Sequence, residues 1–223
     1  CIFEKFNIQC QIILFFKGEI MNFEQLLTQR FACKSFTSKE IAKDDLDFIL
    51  ESGRLSPSSC GFEPWKFVVI GRKDSATLST MCFHQENVAS ASHNIIILAR
   101  TDLQAKDDYI KKQVGRFCPP ENAEKFDQVL NTYTAETNAM NAEQLYAYAK
   151  ANCYLALMQM SLAAISRGID SCMIGGFEKD KVDSFLGLTY PFQTAVILSL
   201  GFRDSEPKHS RKRLAIHEVV EYR

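Results

Sequence analysis

The chain has 223 residues, of which 46% are hydrophobic, 24% charged and 11% aromatic. These proportions are typical of globular proteins and exclude a disordered, collagen-like or low-complexity chain. Lys and Arg together number 26 against 27 Asp and Glu, so the formal net charge is −1. A chain without excess positive charge has no general electrostatic attraction for nucleic acid or anionic membranes. We therefore expect neither kind of partner.

The eight cysteines are spread along the chain without a C-x-x-C pair or a Cys/His cluster. A zinc site is usually marked by two closely spaced pairs of ligands. We therefore expect no metal site. Without a secretory signature, the cysteines favour reduced thiols in a cytoplasmic protein.

The first twenty residues differ from the rest of the chain. The apolar run Ile12–Phe16 is too short to span a bilayer, and no small-residue cleavage site follows it. The chain opens on Cys1, and Met21 directly precedes an amphipathic stretch. We hypothesise that residues 1–20 are a translated leader and that a single domain occupies residues 21–223. The alternative is a hydrophobic arm that packs on a partner.

The first half of this domain contains patterns of two helices and two strands. Apolar residues at helical spacing predict a short helix that ends near Arg30 and a second that ends between Gly53 and Leu55. Trp65–Ile70 is rich in β-branched and aromatic residues, which predicts a strand. The continuous apolar run Ile95–Ala99 predicts a strand that is covered on both faces.

The second half is dominated by one long apolar helix. Residues 104–137 are polar, and we expect two exposed helices around a loop there. Asn138–Arg167 lacks Pro and Gly, and its part from Ala151 to Ile165 is almost wholly apolar. This pattern predicts a buried core helix or a helix at a subunit interface, ended by Gly168. A strand, a helix and a strand are expected after it, at Ile169–Ile174, Lys179–Leu186 and Thr194–Leu200.

Three short segments carry residues that could bind a ligand or serve only as loops. Arg30 and Lys34 place two cations after the first helix, where they could face one anion or form a solvated pair. The S-P-S-S loop that starts at Ser56 offers hydroxyl and N–H groups for a polar ring edge or a ribose, or is a plain connection. Gly175 and Gly176 allow close approach of backbone to a ligand, or a tight turn.

A fourth segment, Lys208–Arg213, contains five basic or potentially basic residues in six. Such a run could bind a phosphate monoester, since guanidinium groups form bidentate hydrogen bonds with phosphate. A nucleic-acid patch and a solvated basic tail are the alternatives.

The order and spacing of these segments resemble the FMN-dependent, oxygen-insensitive nitroreductases, from Met21 to Val220. The most specific part is S-P-S-S-x-x-x-x-P-W-x-F, Ser56–Phe67. Cys33-Lys34 and the I-G-G-F sequence that ends at Phe177 are further similar to a cysteine-bearing subgroup from epsilonproteobacteria. The resemblance implies an α+β fold with a mainly antiparallel sheet of four or five strands, flanked by helices, in an intertwined homodimer.

The resemblance also implies an activity. It predicts an enzyme that reduces nitroaromatics, quinones or similar small-molecule acceptors through FMN, with NADPH or NADH as reductant, in two-electron ping-pong transfer. Flavin N5 carries this chemistry, so no catalytic side chain is expected. The alternatives are a flavin-binding or sensing protein with weak turnover, and a relative that cleaves flavin or performs reductive dehalogenation.

Site residues follow from the same resemblance. Arg30 would approach the FMN phosphate and ribityl chain, and Lys34 the flavin N1 and C2 carbonyl, where a fixed cation favours the reduced anion. The S-P-S-S loop would line the flavin from the partner subunit, and the glycine pair would offer N–H groups near N5. The full implied cofactor-binding set is Arg30, Phe31, Ala32, Lys34, Pro57, Ser58, Ser59, Gly61, His84, Ile174, Gly175, Gly176, Lys208, Arg211 and Arg213.

Four positions depart from the family pattern. Phe31 and Ala32 stand where many members carry His and Ser, which removes two polar contacts. His84 replaces an Asn, whose hydrogen bonds an imidazole reproduces only in part. Gly175 stands where several members carry Glu. We expect these changes to alter substrate preference and flavin affinity more than flavin binding itself.

Cys33 lies in sequence between the cations Arg30 and Lys34. Nearby positive charge favours a reactive thiolate, which gives the hypothesis of a lowered pKa at Cys33. The alternative is a small, packed and inert thiol.

Overall fold

The computed structural model describes residues 22–118, 121, 123–207 and 209–223. The proposed leader and Lys208 of the basic run lie outside these residues. The helices are α1 (Phe23–Gln29), α2 (Lys43–Arg54), α3 (Arg72–Met81), α4 (Glu86–Ala89), α5 (Asp108–Gly115), α6 (Ala123–Asn138), α7 (Ala142–Ser166), α8 (Lys179–Phe185) and α9 (Ile216–Val219). The strands are β1 (Trp65–Gly71), β2 (His93–Arg100), β3 (Asp170–Ile174) and β4 (Phe192–Gly201).

The four strands form one antiparallel sheet in the order β1-β2-β4-β3. The two central strands are buried along almost their whole length. The prediction that Ile95–Ala99 is covered on both faces is therefore confirmed, since all five side chains are 0–1% exposed. Such strands need no alternation of polar residues, because helices cover both sides of the sheet.

The long helix α7 packs against α2 and the sheet. Asn141 begins it with a capping box, in which the Asn141 side chain accepts from Gln144 N and the Gln144 side chain accepts from Asn141 N. Gly168 follows its end with φ +68°, a left-handed conformation that suits glycine. Since Leu157 and Met160 are fully buried, the prediction of a core helix is confirmed.

Another face of α7 is not covered by the residues that the structure describes. Tyr154, Leu155 and Met158 are 37–47% exposed. The same helix therefore supplies the core and also presents large apolar side chains to the outside. None of the described helices combines the length and apolar composition needed to cross a membrane.

Two parts of the helical pattern differ from the sequence predictions. Helices α5 and α6, expected to be exposed, bury one face through Ile110, Val114 and Leu130. The long helix begins at Ala142 rather than Asn138, because α6 ends there and the Asn141 cap starts a new helix.

The segment after α1 runs along the outer strand β3. Ala32 forms a parallel bridge with Ser171, and Cys33 N donates to the Ser171 carbonyl at 3.1 Å. Further on, Phe36 forms an antiparallel bridge with Arg203, just after β4. The edge of the sheet thus places the Arg30–Lys34 segment beside the chain that leaves β4.

Candidate functional site

The guanidinium groups of Arg30, Arg211 and Arg213 lie near one another, where the C-terminal segment contacts the end of α1. Partial burial lowers the pKa of the Arg30 guanidinium, and the positive charges of Arg211 and Arg213 lower it further. Within the described ranges, no carboxylate forms an ion pair with any of the three; Arg211 and Arg213 donate to backbone carbonyls. Like charges held this close repel one another, so a bound anion would lower the energy of the cluster.

Arg211 also fastens the C-terminal segment to α1. Its Nη1 donates to the Leu27 carbonyl at 2.6 Å, and its Nη2 donates to the Thr28 carbonyl. These carbonyls lie in the last turn of α1, which contains no basic residue of its own. Arg211 therefore supplies hydrogen-bond donors to carbonyls at the end of α1, and its positive charge interacts favourably with the negative end of the helix dipole.

The Arg30–Lys34 segment and the chain after β4 enclose a cavity of about 590 Å³. This volume lies in the range of about 300–1,000 Å³ that small-molecule and cofactor sites occupy. Phe31, Ala32 and Lys34 line it on one side and Arg211 on the other. A second cavity of about 450 Å³ adjoins it and is lined by Phe31, Arg203 and Arg211.

The end of β3 lies near the same cations. Burial raises the pKa of the Cys172 thiol, while the charges of Lys34 and Arg30 oppose this shift. The Asn87 amide donates to Cys172 Sγ at 3.0 Å. Cys172 is two residues before Ile174, the last residue of β3, so the structure brings the strand end that precedes the glycine pair towards Lys34.

The glycine pair presents an exposed backbone edge between two aromatic rings. A Cβ at Gly175 would lie 3.8 Å from the Tyr154 hydroxyl oxygen, and a Cβ at Gly176 would lie 3.7 Å from the Phe83 ring. Gln85 Nε2 donates to the Gly176 carbonyl at 2.8 Å. This contact places the turn that contains His84 beside the glycine pair.

That turn has an uncommon backbone. Phe83 and His84 both adopt φ +55°, a left-handed conformation that costs free energy in residues other than glycine. Both side chains are exposed. Such strain is often found at binding sites, where the surrounding structure maintains it.

The S-P-S-S loop is held by α7. Ser59 N donates to Asn152 Oδ1 at 2.8 Å, and Glu63 N donates to Ser58 Oγ at 2.8 Å. Asn152 is a positioning residue that we did not assign from the sequence, although a buried amide in an apolar helix was a signal for it. The exposed residues Pro57 and Gly61 line neither of the two cavities described above.

The hypothesis of an activated Cys33 is wrong. The side chain is 1% exposed, and burial raises the pKa of its thiol to about 11. Its Sγ donates to the Ser35 carbonyl at 3.1 Å. Burial raises the pKa because desolvation disfavours the thiolate, and it outweighs the opposing effects of the Ser35 hydrogen bond and the Arg203 charge. Cys33 is therefore the packed, neutral thiol of the alternative.

The predicted site residues fall into three groups. Phe31, Ala32, Lys34 and Arg211 line the larger cavity, and Arg30 and Arg213 join Arg211 in the cationic cluster beside it. His84, Gly175 and Gly176 form a second group beside Phe83, and Ile174 is buried at the end of β3. Pro57, Ser58, Ser59 and Gly61 lie on the loop held by Asn152. In the part of the chain that the structure describes, His, Cys, Asp and Glu side chains form no group that could hold a metal ion.

Comparisons with known proteins identify the family to which the chain belongs. A family model described as the nitroreductase family matches residues 27–202. A Staphylococcus epidermidis protein whose name assigns it to the NAD(P)H nitroreductases is 36% identical over 207 residues, covering 86% of this chain and 93% of that protein.

Solved structures show the same fold. A nitroreductase family protein from Streptococcus pneumoniae matches with a TM-score of 0.76 at 30% identity, covering 91% of this chain and all of that one. A nitroreductase structure from Exiguobacterium sibiricum in complex with FMN also has a TM-score of 0.76, at 23% identity and with coverage of 91% and 98%. The predicted α+β fold is confirmed, and the chain belongs to the nitroreductase family of oxidoreductases.

Proposed function

We propose that this chain is an FMN-dependent NAD(P)H oxidoreductase that reduces nitroaromatics, quinones or similar acceptors in two-electron steps. One observation carries the proposal: the mutually repelling cluster of Arg30, Arg211 and Arg213 beside a cavity of about 590 Å³. A phosphate dianion would relieve this repulsion, so the residues present fit FMN. The related structure in complex with FMN supports this choice of cofactor.

The residues of this chain hold and orient the cofactor. Arg30 and Arg213 supply guanidinium donors to the phosphate, and Arg211 joins them while it anchors the C-terminal segment to α1. Lys208, outside the described residues, completes the basic run. When bound, FMN supplies the two-electron chemistry, taking a hydride from NAD(P)H and giving it to an acceptor.

Lys34 contributes a fixed positive charge at the cavity wall. Reduction adds negative charge to the flavin ring, and a preorganised cation stabilises such charge where it develops. The exposed residues Gly175 and Gly176 and the neighbouring turn at His84 would border the space for nicotinamide or acceptor. No acid or base residue of the chain is required.

We propose that reductant and acceptor use this space in turn, which gives a ping-pong scheme. Initial rates at several fixed NADPH concentrations should give parallel double-reciprocal plots against a quinone. Intersecting plots would contradict the scheme without affecting the proposed cofactor.

We also propose that the enzyme is an intertwined homodimer. The uncovered face of α7, with Tyr154, Leu155 and Met158, is too apolar to remain in water without cost. A second copy would cover it, and Pro57–Ser59 of that copy would then line the flavin. This arrangement accounts for a loop that is held firmly by Asn152 but lines neither described cavity.

The absorbance spectrum of the purified protein tests the cofactor and the activity. We expect a yellow protein with one FMN per chain that bleaches on addition of NADPH or NADH and regains colour with a quinone. A yellow protein that does not bleach would favour the flavin-binding or sensing alternative. A colourless protein that does not rebind FMN would contradict both.

The cytoplasmic location stays a prediction.

A further inference from the structure

Asp170 and Arg203 form a close ion pair beside the candidate site. Asp170, the first residue of β3, is 5% exposed, and Arg203 lies just after β4. The Asp170 carboxylate accepts from Arg203 N at 3.0 Å, from Nε at 3.1 Å and from Nη2 at 2.8 Å. The planar guanidinium is therefore fixed in position and orientation, as a bidentate pair requires.

This guanidinium lies over the Phe31 ring. The Arg203 Cζ lies 4.6 Å from the Phe31 ring centroid, and Nη1 donates to Glu206 at 3.0 Å. Asp170 and Glu206 neutralise Arg203, so it can pack on the ring without adding uncompensated positive charge to the site. An Arg–aromatic contact of this kind contributes free energy and fixes the ring.

Phe31 is the residue between Arg30 and Ala32, and its ring lines both cavities. The backbone of this segment is tied to β3 by the Ala32–Ser171 bridge, one residue from Asp170. Arg30, by contrast, is repelled by Arg211 and Arg213. The contact between Arg203 and the Phe31 ring opposes this repulsion. A fixed Phe31 limits how far the adjacent Arg30 can turn towards solvent.

We propose that Arg203 is a positioning residue for cofactor binding: through Phe31 it holds the segment that carries Arg30 and Lys34 beside the cavity in the geometry that binds FMN. This inference rests on the proposed function. It predicts that the Arg203–Phe31 contact contributes to FMN affinity, although the Arg203 guanidinium is itself paired with the carboxylates of Asp170 and Glu206.

A double-mutant cycle tests the inference. Apo-protein of Phe31→Leu, Arg203→Lys and the double variant is titrated with FMN, and the dissociation constant is measured by quenching of flavin fluorescence. Each single change should raise the constant about three- to tenfold. The double change should raise it no further than the larger single effect, since both remove one contact. Arg203→Ala is avoided because it would leave the buried Asp170 charge unpaired.

Phe48→Leu is the matched control. Arg167 lies over the Phe48 ring at 4.0 Å, and neither residue lines the two cavities, so this variant removes a similar contact and should leave the FMN constant unchanged. Additive effects of the two site variants would overturn the inference. A loss of thermal stability with unchanged FMN affinity would overturn it also, since that is the result of a merely structural role. Wild-type protein that fails to bind FMN would instead overturn the proposed function, and the inference with it.

Discussion

The centre of the sheet and the cationic edge of the molecule differ in how their polar side chains are paired. In the sheet, Ser199 Oγ donates to Asn94 Oδ1 at 2.6 Å, and Asn94 Nδ2 donates to Ser75 Oγ of the covering helix α3 at 3.0 Å. At the edge, Arg30 lies close to Arg211 and Arg213, and none of the three forms an ion pair with a described carboxylate, although Asp204 and Glu206 line the same cavity as Arg211. The first arrangement lowers the free energy of the folded chain by itself. The second is unfavourable until an anion binds, which is typical of a site selected for function rather than stability.

The largest effect should come from the core. We expect Ile97→Ala to lower the free energy of unfolding by about 2–5 kcal/mol, because it removes a fully buried side chain and leaves a cavity. Urea denaturation measures this loss. Val69→Ala, at a β1 position that is 38% exposed, should cost clearly less. Equal losses of unfolding free energy at the two positions would contradict the assignment of Ile97 to the core and of Val69 to the surface.

The uncovered face of α7 should behave as an interface rather than as ordinary surface. We expect Leu155→Glu to raise the dimer dissociation constant roughly a hundredfold, because it would bury an unpaired charge. Sedimentation velocity at micromolar concentration measures the change. Phe185→Glu, at another exposed apolar helix position, is the control. Wild-type protein that sediments as a monomer yet retains flavin and turnover would exclude a shared site.

Arg30 should separate cofactor affinity from stability. We expect Arg30→Ala to weaken FMN binding about tenfold or more, because a charge-assisted hydrogen bond to phosphate is lost. The apo-protein should be no less stable, since the change also relieves repulsion from Arg211 and Arg213. FMN titration and thermal unfolding of the same sample give both values. Arg54→Ala, which removes an exposed pair with Glu51, should alter neither by much.

Lys34 should affect the energy of reduction more than the retention of flavin. We expect Lys34→Ala to lower the midpoint potential of bound FMN by on the order of 30 mV, or about 1.4 kcal/mol for two electrons. A redox titration against a reference dye measures the potential. Lys34→Arg keeps the charge and should restore most of it. An unchanged potential in Lys34→Ala would place the cation away from the reacting ring.

The smallest effect is expected at Cys33. Its thiol pKa is raised to about 11, so the neutral form is favoured in the folded protein. The resulting stabilisation is complete below the ordinary thiol pKa and is lost as pH rises towards 11. Maleimide labelling of the holoprotein at pH 7–8 should modify the exposed Cys60 and leave Cys33 unmodified. Rapid labelling of Cys33, read by peptide mass, would contradict its burial.

Long or strongly patterned elements were predictable from the sequence. The apolar runs gave β2 and the core position of α7, and Gly168 marked the end of that helix. The region of α3 and α4 was not predicted, because these helices have mixed polar sequences and are stabilised by tertiary contacts. The break before α7 depended on a cap at Asn141, which a search for apolar periodicity does not detect.

The candidate site was predictable as residue types but not as a geometry. The sequence by itself determined the cations, the glycine pair and the apolar helix, because periodicity and motif spacing are local properties of the chain. Only the tertiary structure decided that Arg203 covers Phe31, that Arg211 holds the end of α1, and that Cys33 is buried and neutral. Residues 31 and 203 are far apart in sequence, and the charge state of a thiol depends on its desolvation as well as on nearby cations. Such contacts and burial exist only once the sheet edge has formed.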